Sequence, residues 1–241
     1  MAFASITIIV APYHVGIYDH RAGGGPLRIL SHGIDKELDK PAPVSFINIG
    51  PVDKFEGEIG RTFEVLRRIS KAVAATMAGL NHARANESSS NVGVLWLDAH
   101  GDLDTPSTHE NGYLDAMAAS MMTGTSWHTL MKTVPTHRPV DVKRVIYCGL
   151  RDVSEIQLKT VQEARVDVIW GDATKRVDFT SDLAAALDRR DDIQHAHVHL
   201  DLDVLDESLG RVNEFPSPGG FLPEDLMGLM SMIPTKVGEP G

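Results

Sequence analysis

Short apolar runs rich in β-branched residues recur along the 241-residue chain, and their spacing constrains the fold more than any other feature. They are ITIIVAP (6–12), VSFINIG (44–50), GVLWLDAH (93–100), RVIYCGL (144–150), VDVIWG (166–171) and HVHLDLDVLD (197–206). Between them lie segments of helical periodicity. Ile59, Phe63, Leu66, Ile69, Val73, Met77 and Leu80 recur every three to four positions, one apolar stripe on a helix. Further helices are predicted near 113–132, 153–164, 181–190 and 223–232, with surface loops at ANESSSN (85–91) and PTHRPVD (135–141). Nearly continuous apolar strands alternating with amphipathic helices predict an α/β protein with a mostly parallel sheet covered on both faces. At this length a single domain, 1–241, is expected.

In such sheets the ligand site lies beyond the carboxyl ends of the strands. That is where the acidic residues fall. LWLDAHGDLDTP (95–106) places Asp98, His100, Asp102 and Asp104 directly after an apolar run, and HVHLDLDVLD places Asp201 and Asp203 after another. Side chains of an extended chain alternate, so Asp98, His100 and Asp102 share one side if the chain stays extended, as do Asp201 and Asp203. Two carboxylates about 4 Å apart repel by roughly 4 kcal/mol at an effective dielectric near 20, so a converging set calls for bound positive charge. Carboxylate oxygens with one imidazole suit Mn²⁺ or Mg²⁺ better than Zn²⁺. Two such ions about 3.5–4 Å apart can hold a bridging hydroxide and polarise the group it attacks, which is the chemistry of hydrolysis. Alone, D-x-D also fits a solvated turn or a metal–nucleotide site in a sugar transferase; D-A-H-x-D at a strand end is more specific.

His197 and His199 share parity with Asp201 and Asp203. Each two-residue step moves a side chain about 6.5 Å along a strand, which places His199 too deep for a ligand and predicts a hydrogen-bonded core histidine. A net charge of −10 without clustered Lys and Arg argues against nucleic acid. The single cysteine, Cys148, excludes an internal disulfide and reads as a buried inert thiol in a reducing, cytoplasmic setting. MAFASITIIVAP lacks a basic flank and is too short to span a bilayer, so it reads as a first strand, with no membrane role. RAGGGP (21–26) lacks the spacing of a phosphate loop.

WLDAHGDLDTP and HVHLDLDVLD, about a hundred residues apart, resemble the two metal-binding signatures of the ureohydrolase superfamily, the arginase and agmatinase group. APYHVGIYDHRAGGGPLRIL resembles the family's opening strand, loop and helix, VIYCGLRDVSE its mid-chain strand and turn, and SPGGFLPEDL its entry to a late helix. The resemblance implies a three-layer α/β/α fold and a centre of two Mn²⁺ per subunit. It implies hydrolysis of a guanidino or amidino C–N bond of a small-molecule substrate, in a homo-oligomer, a trimer or hexamer. By position it makes Asp98, His100, Asp102, Asp201 and Asp203 metal ligands, with Asp102 also catalytic, and Asp206 a structural aspartate. The DAHGD form followed by GYL is most similar to the branch acting on arginine-like or N-hydroxyarginine-like substrates.

The chain also departs from that pattern. A family strand ending in G-G-D-H supplies one further histidine ligand, whereas here no His or Cys occurs from Gly33 to Asn81, so fewer than two ions is an alternative. Among the expected substrate-facing positions, Asp115 stands where a proton-shuttling histidine is found, Asp104 where an asparagine is, and Ser154 where an aspartate is; His109 and Asn111 lie in the loop beside them. The chain ends in KVGEPG where the family continues to a last strand, so the domain is expected to be incomplete. The alternative function is therefore a catalytically impaired or inactive protein of the same fold, an interaction partner or a truncated product.

Overall fold

The structure is a computed structural model that describes residues 5–52, 57–81 and 92–237, with residues 75–81 described by backbone alone. In chain order the elements are β1 (Ile6–Val10), β2 (Tyr13–His14), β3 (Ile17–Tyr18), α1 (Gly25–Ser31), α2 (Ile34–Leu38), β4 (Val44–Asn48), α3 (Glu58–Asn81) and β5 (Val92–Leu97). There follow α4 (Ala118–Met122), α5 (His128–Met131), β6 (Val145–Leu150), α6 (Glu155–Ala164), β7 (Asp167–Trp170), α7 (Phe179–Leu187), β8 (His195–Leu200) and α8 (Pro223–Lys236). They group into two units, one built from Met1–Glu87 and Trp127–Arg138, the other from Ser88–Ser126 and Pro139–Gly241.

In the first unit β1 and β4 pair in parallel, Ile6 against Val44 through Val10 against Asn48. β2 and β3 form a short antiparallel pair. Along α3, Phe63, Val65 and Ala72 are buried, while Ile59 and Val73 of the expected stripe are exposed. The side chains of Met77 and Leu80 and the loop at 85–91 lie outside the described residues.

The second unit holds four parallel strands in the order β7-β6-β5-β8. Alternation along the strands builds a core on each face. Leu95, Leu97, Ile146 and Cys148 pack with Phe179 and Leu183 of α7, Leu229 and Ile233 of α8, and Phe221. The intervening Val94, Trp96, Val145 and Tyr147 pack with Val161 of α6, Ala119 of α4 and Leu103. Every residue of β6 is buried, which is why its sequence is apolar without a polar alternation. At its end Gly149 takes φ +94°, and a Cβ there would come within 2.6 Å of Val204 Cγ2, so only glycine lets the strand end pass beneath that turn.

The expected helix near 113–132 is divided into a 3₁₀ turn at Leu114–Met117, α4 and α5. Gly124, at φ +76°, ends α4 in the left-handed conformation that suits glycine. The expected strand 197–206 also stops early, at Leu200. The Asp201 carboxylate accepts the Asp203 backbone N–H at 2.9 Å and turns Leu202–Val204 into a 3₁₀ helix.

Candidate metal centre

Asp98 and Asp201 are the first residues beyond β5 and β8, neighbours in register through Leu97 and Leu200. Arg151 is the first beyond β6. The Asp201 N–H donates to Leu97 O at 2.9 Å and the Asp98 N–H to Cys148 O at 3.3 Å, so the ladder itself fixes both aspartates. Each then closes a tight side-chain turn, Asp98 Oδ1 accepting the His100 N–H at 2.8 Å. Alternation along an extended chain is therefore not what gathers these groups. Aspartate-capped turns at adjacent strand ends do so.

Two sets of side chains result, each within 4.8 Å from ligand atom to ligand atom: Asp98, His100 and Asp203, and Asp98, His199 and Asp201. His100 Nδ1 lies 3.1 Å from Asp203 Oδ2 and 3.6 Å from Asp98 Oδ1. His199 Nε2 lies 3.3 Å from Asp98 Oδ2, the other oxygen of the same carboxylate. Asp98 and Asp203 are buried. Asp203 also accepts from the Asn213 amide at 2.6 Å and the Ala99 N–H at 3.3 Å.

His199 makes the hydrogen bond expected of it, to Asp98 Oδ2 at 3.3 Å, but from nearer the acidic cluster than its depth on β8 implies. Its ring is not held away from the carboxylates. Trp96, opposite it in register, donates its indole N–H to Asp98 Oδ2 at 3.1 Å, which folds that carboxylate back toward the sheet. The imidazole stacks on the indole with centroids 3.8 Å apart, and so meets the same oxygen. His197 is exposed on β8 and belongs to neither set.

The electrostatics follow from crowding. Burial opposes ionisation of Asp98, but hydrogen bonds from His100 and His199 overcome it and bring the carboxyl down to about 2. Burial would lower His100, yet Asp203 and Asp98 raise it to about 10. Burial, with Asp203 and Asp98 adding to it, raises Asp201 to about 6. Asp102 lies outside both sets, at φ +48°; burial and then Asp98 raise its carboxyl well above the usual range. The guanidinium of Arg151 is spent on the backbone carbonyls of Gly149, Asp203, Val204, Leu205 and Ser217.

The remaining sequence candidates surround this cluster in varied ways. Asp104 is buried, with Oδ1 bonded to the Thr108 hydroxyl at 2.8 Å and Oδ2 to the Gln157 amide at 2.6 Å, so both oxygens are engaged inside the protein. Ser154 caps α6 by accepting the Gln157 N–H. His109 Nδ1 and Asn111 Oδ1 both accept the Tyr113 N–H, and Asp115 accepts the Tyr113 hydroxyl at 3.0 Å. Phe215 stands edge-on to His100 at 6.3 Å and near Tyr113. Trp96 and Arg151 lie inside quoted motifs without a role being read for them, and Asn213 and Phe215 lie outside any motif. Only the parity of His199 with Asp201 hinted at the second imidazole.

A profile described as the Arginase family matches residues 4–238. Among curated relatives, the chain is 26% identical over 156 residues to the arginase of Entamoeba histolytica, covering 65% of this chain and 51% of that protein. It is 29% identical over 131 residues to the arginase of Bacillus subtilis, covering 54% and 44%. It is 31% identical over 147 residues to the N(omega)-hydroxy-L-arginine amidinohydrolase of Streptomyces lavendulae, covering 59% and 47%. The chain thus spans about half the length of these curated relatives. The solved Entamoeba histolytica arginase, in complex with L-ornithine, superposes with a TM-score of 0.80 at 23% identity over 98% of this chain and 89% of that one. Bacillus caldovelox arginase gives 0.74 at 20% identity, covering 98% and 88%. The fold is that of the arginases, a three-layer α/β/α arrangement.

Proposed function

Because the chain belongs to the arginase family, we propose that it hydrolyses a guanidino or amidino C–N bond of a small cationic substrate, using two manganese ions. The observation that supports this is one carboxylate, Asp98, shared by two sets that each contain an imidazole and a further aspartate. The donors fit the ions: oxygen-rich with one nitrogen per set, at the carboxyl ends of parallel strands, with the nearest guanidinium turned to backbone carbonyls. Such an ion pair lowers the pKa of water toward neutrality and polarises the bond to be broken.

In this reading Asp98, His100, Asp201 and Asp203 hold the ions. Asp102, outside both sets, is in this reading the group that holds a proton as the C–N bond breaks. Phe215 and Tyr113 give the site an apolar wall, and His109, Asn111, Asp115 and Ser154 are the polar groups offered to the rest of the substrate. Asp104 stands where the family has an asparagine, and its buried carboxylate would repel the carboxylate of free L-arginine. That favours a modified or decarboxylated guanidino compound. A cytoplasmic homo-oligomer, trimeric or hexameric, completes the proposal; no helix among the described residues is long and apolar enough to cross a membrane.

Release of urea or hydroxyurea from a panel of guanidino compounds, with and without Mn²⁺, tests the proposal. Turnover that requires the ion supports it, and absence of turnover in a folded, manganese-loaded sample defeats it. The second reading, an inactive protein of this fold, draws on the absence of His and Cys from Gly33 to Asn81. Close to two equivalents of bound Mn²⁺ per chain would count against it.

A further inference from the structure

We propose that His199 is itself a metal ligand, so that Asp98, His199 and Asp201 hold one cation while Asp98, His100 and Asp203 hold the other. The inference rests on the metal-dependent reading above and adds a residue to it.

Three features of the structure support it. First, the two imidazoles flank one carboxylate on different oxygens, His100 Nδ1 facing Oδ1 of Asp98 and His199 Nε2 facing Oδ2. A carboxylate so flanked is arranged to bridge two ions, each with its own nitrogen donor. Second, the spacing suits a shared ion. Bonds of about 2.0–2.2 Å put neighbouring donors on one ion roughly 3.0–3.5 Å apart, and His199 Nε2 stands 3.3 Å from Asp98 Oδ2. Third, the ring is oriented in advance. The stack on Trp96 fixes its plane, the parallel pairing of β5 with β8 fixes its height, and Trp96 holds Asp98 in place with its indole N–H. A hydrogen bond to the far side of a ligand in this way aims the ligand at its ion. The alternative role for His199 is a plain hydrogen bond from Nε2–H to Asp98, which a bound ion would displace.

The test loads the full chain with Mn²⁺ alone, removes excess ion, and counts metal in the wild type, His199→Asn and His100→Asn. Two equivalents in the wild type and one in each variant support the inference. Two equivalents in His199→Asn at unchanged affinity overturn it and leave the hydrolase proposal standing. No tightly bound ion in folded wild type overturns both. Should His199→Asn fail to fold, pulsed electron paramagnetic resonance of wild type labelled with ¹⁵N-histidine decides: two distinct imidazole couplings to manganese support the inference, and one alone overturns it.

Discussion

The Arg151 guanidinium donates to the backbone carbonyl of Asp203 at 2.8 Å, tying the end of β6 to the turn that carries an acidic member of the site. The same side chain reaches the carbonyls of Gly149, Val204, Leu205 and Ser217. Arg151→Ala leaves these acceptors short of a partner and is expected to cost about 2–4 kcal/mol in urea unfolding. Arg151→Lys should recover only part of this, since an ammonium lacks the planar fork. Manganese affinity, followed by titration, should fall in both variants.

Asp98 is common to both candidate ion sets, so Asp98→Asn should remove tight manganese binding altogether, whereas Asp203→Asn should weaken one ion more than the other. With ion at a hundredfold excess over Kd, linkage adds about 2.7 kcal/mol to the stability of the wild type. The Asp98→Asn melting temperature should not respond to Mn²⁺, and chelation should return the wild type to its metal-free value.

Asp206 accepts the N–H groups of Ser208, Gly219 and Gly220, at 3.0, 2.7 and 3.2 Å. Ser208, against a small burial effect and with help from the glycine amides, lowers its carboxyl from 3.8 to about 2. A carboxyl lowered on folding stabilises the native state above its unfolded value and ceases to do so as pH falls through the folded one. Asp206→Ala is therefore expected to cost about 1–2 kcal/mol at neutral pH. The difference from wild type should shrink between about pH 4 and pH 2. Equilibrium unfolding at a series of acid pH values measures both.

Cys148 is fully buried in β6, and burial pushes its thiol well above the usual range. The native protein should not react with a disulfide reagent on the timescale on which denatured protein reacts completely. Fast native labelling would contradict this burial.

Where the sequence carried repeating patterns, the fold was legible. The apolar runs at 144–150 and 93–100 became β6 and β5, whose alternate residues feed the two cores. The meeting of Asp98, His100, Asp201 and Asp203 was legible because each follows an apolar run. What stayed hidden depends on bonds that sequence does not display. The depth argument for His199 measured distance along β8 alone, whereas Trp96 draws Asp98 down to meet it. Arg151 was invisible for another reason: its partners are backbone carbonyls, which any residue type supplies.

One carboxylate serving two sets has a thermodynamic corollary. Occupancy on the His100 side and occupancy on the His199 side must influence each other equally, since linkage between two binding events is reciprocal. A change confined to Asp201 should then alter the ion beside His100 without touching it.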